Sequence, residues 1–265
     1  GVYRGMVDDG RALLDNSGAD IWVVQQGTLG PYAEPSSLND NTWRSLRALP
    51  GVQDAANVTY LTMQVQRLGG RAGAAASDVR AMVVGIAPGG SGTPGWPPYL
   101  VAGRQITRSH YEAVADIASG LALGERIQIR RNSYTVVGLT RRMVSSGGDP
   151  MVFIPLKDAQ AAQFLRDNDA LWQSRHRTAA NPAFNRPGVP GLLDAVIASQ
   201  SANTSVNAVL VRVRAGHDAQ EVADSIHRWQ RLTATTRAQM EEILIGKLIA
   251  TSAKQIGMFL AILAV

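Results

Sequence analysis

Two strand–helix–strand segments, one near each end of the chain, constrain the fold more than any other feature of the sequence. In each segment a β-favouring run is followed by a helical pattern and then by a second β-favouring run. The three parts lie at residues 20–25, 38–49 and 52–68, and again at 208–214, 217–230 and 232–236. A split βαβ pair of this kind is typical of a ferredoxin-like lobe. The sequence therefore predicts an α+β fold.

The region between the two segments has a different pattern. A helix is predicted at 109–118, and a hairpin at 125–139 with its turn at Asn132-Ser133. A short strand at 151–154 precedes an amphipathic helix at 156–172. Residues 175–207 are polar and rich in Pro, Gly, Asn and Ser, which is typical of an exposed insertion. We therefore expect a smaller β-rich lobe inserted into the discontinuous ferredoxin-like lobe.

These patterns divide the chain into four parts. Residues 1–97 form the first part of the ferredoxin-like lobe, with an N-terminal helix at 2–18, and residues 98–207 form the inserted lobe with its polar segment 175–207. Residues 208–240 complete the first lobe, and residues 241–265 form a long helix. The Gly/Pro-rich stretch at 88–98 marks the first boundary.

Composition excludes several classes of protein. With 265 residues, 45% of them hydrophobic and 18% charged, the chain is globular rather than disordered. It has no cysteine, which excludes disulfides, thiolate metal sites and cysteine nucleophiles. The net charge is +5, but the arginines are scattered from Arg4 to Arg237 instead of forming the stripe that nucleic-acid binders present.

No motif for catalysis or cofactor binding stands out. Residues 90–95 match G-x-G-x-x-G, but Pro94, Pro97 and Pro98 prevent the helix that a dinucleotide site needs, so the stretch is interpreted as a linker. The four histidines are widely spaced, and no paired carboxylates suggest acid–base chemistry. We predict no catalytic, cofactor-binding or metal-binding residues in this chain.

The C-terminal stretch is the most apolar part of the sequence. Residues 238–265 can form one helix, and its last eleven residues, from Gln255 to Val265, carry no charge. Since a membrane span needs about 20 apolar residues, this stretch is about half the length of a span. Because the chain begins at Gly1 rather than Met, we expect it to be part of a longer protein.

The five tryptophans are spread along the chain. Trp22, Trp43 and Trp229 fit core positions, whereas an exposed binding role is left open for Trp96 and Trp172.

Taken in order, five stretches resemble the extracytoplasmic domain of an ABC-transporter permease of the MacB/FtsX/LolE group. They are GADIWVVQ at 18–25, VAGRQI at 101–106, LGERIQI at 123–129, YTVVGL at 134–139 and DPMVFIPL at 149–156. Residues 20–27 followed by Gly30-Pro31 look most like the DevC-like branch.

The resemblance implies a layout and a role. The two lobes correspond to a porter-like lobe and an inserted sabre-like lobe in the periplasm, with one membrane span before Gly1 and a second beginning near Ile256. The chain would hydrolyse nothing and bind no cofactor, because ATP is bound and hydrolysed by a partner ABC ATPase subunit or domain. The terminal helices would act as stalks that carry motion from a dimeric permease in the bacterial inner membrane. The stalk residues expected to do this are Met6, Leu13, Ile245, Gly246 and Leu248.

The resemblance also implies a partner, either a periplasmic membrane fusion protein or the cargo. Segment 175–207 is longer and more polar than the family pattern, so it is the predicted contact region. Its candidate residues are Arg175, Arg177 and Phe184, together with Trp172, which lies just before the segment. Two alternatives stay open: a regulator of a periplasmic cell-wall hydrolase on the same scaffold, and a soluble periplasmic hydrolase.

Overall fold

The computed structural model describes residues 1–30, 36–68, 78–164, 177, 179–181, 191, 205–229 and 231–263. Its helices are α1 (Val2–Asn16), α2 (Thr42–Arg47), α3 (Leu156–Phe164), α4 (Ala219–His227) and α5 (Arg237–Leu263). Its strands are β1 (Ile21–Gln25), β2 (Leu38–Asn39), β3 (Val52–Arg67), β4 (Val79–Ile86), β5 (Ala102–Gly103), β6 (Glu112–Asp116), β7 (Arg126–Ile129), β8 (Asn132–Thr140), β9 (Met151–Pro155), β10 (Ser205–Val206), β11 (Ala208–Val213) and β12 (Leu232–Thr236).

The two predicted βαβ segments form one half of the sheet. Strands β1 and β3 flank helix α2 in sequence, and β11 and β12 flank α4. The four strands lie in the order β12-β1-β11-β3, and every neighbouring pair is antiparallel. Helices α2 and α4 cover one face, where Leu46 and Ile226 pack on Val23, Val209 and other strand residues. This interleaving confirms the α+β prediction with a split βαβ lobe.

The other strands close into a ring. Strand β3 continues past the first lobe, pairs with β4 along its length, and pairs with β7 at its far end. Strand β4 pairs with β9, β9 with β6, β6 with β8, and β8 with β7, so that the ring has six strands. Alternate residues of each strand point into the ring and form one buried cluster, which includes Val65, Val83, Ala113, Ile127, Tyr134 and Ile154.

Strands β3 and β4 contribute to the ring although they lie within residues 1–97. Their pairing with β7 and β9 joins residues 1–97 and 98–207 in one continuous sheet. The division of the chain at residues 97, 207 and 240 stays a prediction.

Three secondary-structure predictions need correction. The expected helix at 109–118 is wrong, because Glu112–Asp116 is a strand followed by a 3-10 turn at Ile117–Ser119. The helix predicted at 38–49 is shorter, since Leu38–Asn39 pairs with Ser205–Val206 and the helix covers only Thr42–Arg47.

The hairpin turn is also displaced. It lies at Arg130-Arg131 rather than at Asn132-Ser133, with Arg130 in the left-handed region at φ 55°. The helix predicted at 156–172 is α3, which is described from Leu156 to Phe164. Residues 165–172 lie outside the described residues.

Candidate functional site

The two terminal helices arise from neighbouring strands. Strand β1 follows α1 after four residues, α5 follows β12 directly, and β1 pairs antiparallel with β12. The two helices therefore project together from the same end of these two strands. They form a two-helix stalk, defined here as α1 and α5. At 1.5 Å per residue, the 27 residues of α5 span about 40 Å.

A capping box joins α5 to the sheet without a linker. The Thr236 N–H donates to Gln239 Oε1 at 3.0 Å, and the Gln239 N–H approaches Thr236 Oγ1 at 3.5 Å. This reciprocal arrangement is the T-x-x-Q form of a helix N-terminus. The Arg237 N–H also donates to the Asp20 carbonyl at 3.1 Å. The first turn of α5 is thus fixed to both β12 and the residue preceding β1.

The end of α1 is held by side chains from elsewhere in the fold. Ser17 Oγ donates to the Leu14 carbonyl at 2.7 Å, and Gly18 takes φ +69°, where a glycine avoids the strain of a side chain. The Arg212 guanidinium of β11 donates to the carbonyls of Gly18 at 3.1 Å and Gly92 at 2.6 Å. The turn from α1 into β1 is therefore anchored to the middle of the sheet.

Two ion pairs set the register of the stalk. Arg11 Nε lies 2.6 Å from Glu241 Oε1, and one turn nearer the sheet Asp15 pairs with Arg237. Both pairs are largely exposed, with 56% of the Arg11 side chain accessible, so water screens them and they contribute little to stability. We conclude that these pairs fix how the helices lie side by side more than they stabilise the fold.

The buried side of the stalk is part of a hydrophobic cluster that extends far into the molecule. Leu13 and Leu14 of α1 pack with Met240 and Leu244 of α5, and all four are at most 2% exposed. The same cluster includes residues of both halves of the sheet, namely Trp22, Val58, Val84, Val114, Met151, Phe153 and Leu210. This cluster therefore joins the stalk to the outer face of the strand ring in one packed core.

The predicted stalk residues fall in different environments. Leu13 is fully buried and Leu248 is 6% exposed, while Ile245 is half-buried. Met6 and Gly246 are exposed. The structure therefore brings Leu13 and Leu248 to the inner side of the stalk and leaves Met6 and Gly246 on its surface. Their roles in coupling stay predictions.

Sequence reasoning missed several stalk residues. Met240 and Leu244 precede Leu248 at spacings of four, a pattern that indicates one helix face and could have been read from the sequence. Nothing in the sequence pairs Arg11 with Glu241, because the two residues are 230 positions apart.

The candidate partner residues are only partly described. Arg177 is exposed, while Trp172, Arg175 and Phe184 lie outside the described residues. Their part in partner contact stays a prediction.

Two tryptophans differ from expectation. Trp96 is 6% exposed and its Nε1–H donates to the Ala87 carbonyl at 2.7 Å, so it belongs to the core. Trp229, a predicted core residue, is 42% exposed.

A buried carboxylate organises the loop before β6. Glu112 accepts two hydrogen bonds from Arg104, at 2.7 and 3.0 Å, and others from the N–H groups of Thr107 and Arg108. The Arg104 guanidinium is the main reason that the pKa of Glu112 falls to about 2, since burial alone would raise it. Glu112 therefore fixes the course of residues 104–112.

The outer part of α5 is apolar and exposed. Within the described residues, Arg237–Ile262 is the one helix long and apolar enough to cross a membrane. Ile256, Phe259 and Ile262 are each more than 60% exposed, as expected for side chains that contact lipid rather than protein. In the same part of the chain that the structure describes, no group of three or more His, Cys, Asp or Glu could hold a metal ion.

The geometry defines a class of protein: a two-lobed α+β domain carried on a pair of helices, one of them with an exposed apolar end. Comparison with protein families makes the assignment specific. Residues 1–229 match the model of the MacB-like periplasmic core domain, and the chain belongs to that family. It is thus a periplasmic domain of an ABC-type transporter permease. Membership implies an ATPase partner and a membrane context, and the resemblance inferred from sequence is confirmed.

A solved structure agrees on the fold. The periplasmic region of MacB from Actinobacillus actinomycetemcomitans matches with a TM-score of 0.50 and 10% identity, over 88% of this chain and 97% of that one. The extracellular domain of the noncanonic ABC-type transporter YknZ from Gram-positive bacteria matches with a TM-score of 0.46 and 11% identity, over 82% of this chain and 99% of that one. No curated protein sequence gives a significant match.

Proposed function

We propose that this domain couples ATP hydrolysis on a cytoplasmic nucleotide-binding domain to a conformational change in the periplasm, with the two-helix stalk as the moving part. The observation that carries the proposal is the hydrophobic cluster shared by the stalk and both halves of the sheet. A tilt of the stalk would move the lobes with it, because neither helix is connected to the sheet by a flexible linker.

The ion pair between Arg11 and Glu241 has a defined part in this proposal. It keeps α1 level with α5 on the exposed side of the stalk, beside the hydrophobic cluster, where the helices have no strand pairing to hold them. If the helices slide past each other, a displacement at the membrane end is lost before it reaches the lobes. The pair should therefore matter to coupling more than to folding.

Charge reversal in the full-length permease with its ATPase tests this role. Arg11→Glu places two acidic groups side by side, and we expect transport per ATP hydrolysed to fall about fivefold. Glu241→Arg alone should act similarly, and the double variant should regain most of the coupling. Transport and ATPase rates measured together in proteoliposomes give the ratio.

Arg4→Glu is the matched control, because it changes the same charge on an exposed position of the same helix. Unfolding temperature should change little in all four variants, since exposed pairs contribute little stability. Normal transport per ATP in Arg11→Glu, or no recovery in the double variant, would refute a coupling role for the pair.

We also propose that the domain docks a membrane fusion protein or the cargo through the region that contains Arg177. The exposure of Arg177 and the polarity of segment 175–207 support this idea. Pull-down with the intact permease tests it: recovery of a fusion protein supports export, whereas recovery of a cell-wall hydrolase would favour the regulatory alternative.

A further inference from the structure

A cleft lies where the ring of strands meets the first lobe. Its floor is the carboxyl end of the parallel pair β4 and β9, where Ile86 lies opposite Pro155. The carboxyl ends of parallel strands are a common place for ligand sites. The cleft has a volume of about 370 Å³, at the small end of the range for ligand pockets.

The inner wall of the cleft is apolar. It is lined by four side chains that are at most 8% exposed in the folded chain, namely Ile86, Trp96, Ile106 and Leu156. The hydrogen bond from Trp96 to the Ala87 carbonyl fixes the indole, so this wall is formed before any ligand arrives. A rigid apolar wall favours a ligand with a hydrocarbon body.

The rim of the cleft is cationic. Arg108 and Lys157 supply its charge, His110 lines it beside them, and none of its described lining residues is Asp or Glu. The side-chain Nε of Arg108 lies 3.8 Å from Glu112 Oε1, and Lys157 Nζ lies 3.9 Å from Asp40 Oδ2. Both distances exceed a hydrogen bond, and both side chains are more than two-thirds exposed, so their donors can turn toward a ligand.

Two of the nearest carboxylates, those beside Arg108 and His110, are already engaged. Glu112 accepts four hydrogen bonds from Arg104, Thr107 and Arg108. Asp158 lies 2.6 Å from His110 Nδ1 and accepts the Tyr111 N–H at 3.0 Å. These carboxylates therefore hold the rim loop in place without lining the cleft.

We propose that this cleft binds a single-chain anionic amphiphile, with its hydrocarbon chain against Trp96 and Ile106 and its acidic headgroup between Arg108 and Lys157. Charge complementarity selects the acidic headgroup, and the small volume selects one chain over two. The proposal does not depend on coupling through the stalk, because binding is measured without transport.

Photo-crosslinking in the full-length permease, held in nanodiscs, tests the site. The probe is a dodecanoate that carries a diazirine on its chain, with the matching dodecanol and dodecyltrimethylammonium probes as charge controls. We expect the carboxylate probe to label peptides containing Trp96 or Ile106 more strongly than either control. Arg108→Gln/Lys157→Gln should lower that labelling about fivefold, the effect expected for two exposed ion pairs.

Arg131→Gln is the matched control, because it removes an exposed cation of the same half of the sheet that does not line the cleft. Its labelling should equal that of the unchanged protein. Equal labelling by all three probes, labelling only outside the cleft, or full labelling of the double variant would overturn the proposal. Ammonium labelling above carboxylate labelling would overturn it as well.

Discussion

At the scale of single residues, Glu112 illustrates how one carboxylate shapes a loop at the rim of the cleft. Its side chain is 6% exposed and receives hydrogen bonds from Arg104 and from two backbone N–H groups. Those N–H groups belong to residues 107 and 108, which line the cleft. The ionised carboxylate is the form that accepts these hydrogen bonds, so its charge helps to hold the loop in place.

The pH dependence of stability follows from this arrangement. In the folded chain the pKa of Glu112 is about 2, against an ordinary value of 4.5. The ionised form is therefore stabilised by folding, and its contribution is full above about pH 5 and lost as pH falls toward 2. We expect Glu112→Gln to lower the free energy of unfolding by about 2 kcal/mol at pH 7 and by clearly less at pH 3.

Denaturant unfolding of both proteins at the two pH values measures this difference. Glu242→Gln serves as the control, because Glu242 is exposed on α5 and should change little at either pH. If Glu112→Gln lowers the free energy of unfolding by the same amount at pH 3 as at pH 7, the ionised Glu112 is not the source of this stability.

Burial of individual residues was only partly predictable from the sequence. Leu13 and Trp22 lie in segments with a strong local pattern, and both are fully buried. Trp96 lies in a Gly/Pro-rich linker that has no periodicity, so its place in the core depends on contacts with distant strands. Trp229 follows the pattern of α4 but lies past its last residue, His227, where the pattern no longer determines exposure.

At the scale of elements, β6 shows where local pattern misleads. All five residues from Glu112 to Asp116 are buried, because both faces of β6 are covered: Ala113 and Ala115 pack inside the ring, and Val114 packs in the cluster on its outer face. A strand buried on both faces shows no alternation, and its alanines have high helix propensity. The segment forms a strand instead of the predicted helix because it pairs with β8 and β9, and the local sequence does not reveal those partners.

Helix α5 was predictable because its pattern is long and continuous. Its uninterrupted course matters to the proposed coupling, and Gly246 offers a place to test it. Gly246 is exposed, and an added Cβ would meet nothing within 4 Å. Gly246→Ala should therefore leave the helix intact or stabilise it by up to about 1 kcal/mol.

Gly246→Pro should interrupt α5 between the capping box and the apolar end. Proline removes one backbone hydrogen bond and clashes with the preceding turn, at a cost of about 3 kcal/mol or more. We expect ATP hydrolysis to continue while transport per ATP falls, as measured in proteoliposomes beside Gly246→Ala. Unchanged transport per ATP in the proline variant would show that the stalk does not act as one rigid helix.

At the scale of the whole molecule, the two lobes differed in how far sequence could predict them. Each βαβ segment is local, so the sequence contains the pattern of the first lobe. The ring of strands closes through the pairing of Gln66 and Arg67 with Gln128 and Ile127, which no local pattern indicates. The two-helix stalk was predicted as two helices, but its register depends on ion pairs between distant residues.

The segment at 175–207 can be tested without damaging the fold. Asn207 must be kept, because its side chain accepts the Tyr60 N–H at 2.6 Å and donates to the Ser36 carbonyl at 2.9 Å. We expect replacement of residues 175–204 by a Gly/Ser linker to leave the domain folded and to weaken capture of its partner. Pull-down and circular dichroism measure the two effects.

Asn207→Ala in the intact chain is the complementary control. It should destabilise the fold by about 1 to 3 kcal/mol, because it leaves buried backbone groups without partners, and should leave partner capture unchanged in the folded fraction. Full partner capture after the replacement of residues 175–204 would show that this segment does not contribute to partner contact.

The order of the first lobe's strands has a consequence for synthesis on the ribosome. Strand β1 pairs with β11 and β12, both from the last quarter of the chain. The six strands of the ring are all complete by Pro155, so the ring can fold before β11 and β12 have been synthesised and can pair with β1. During that interval Ile21, Trp22 and Val23 expose an apolar strand edge, which is the condition under which nascent chains aggregate or recruit chaperones.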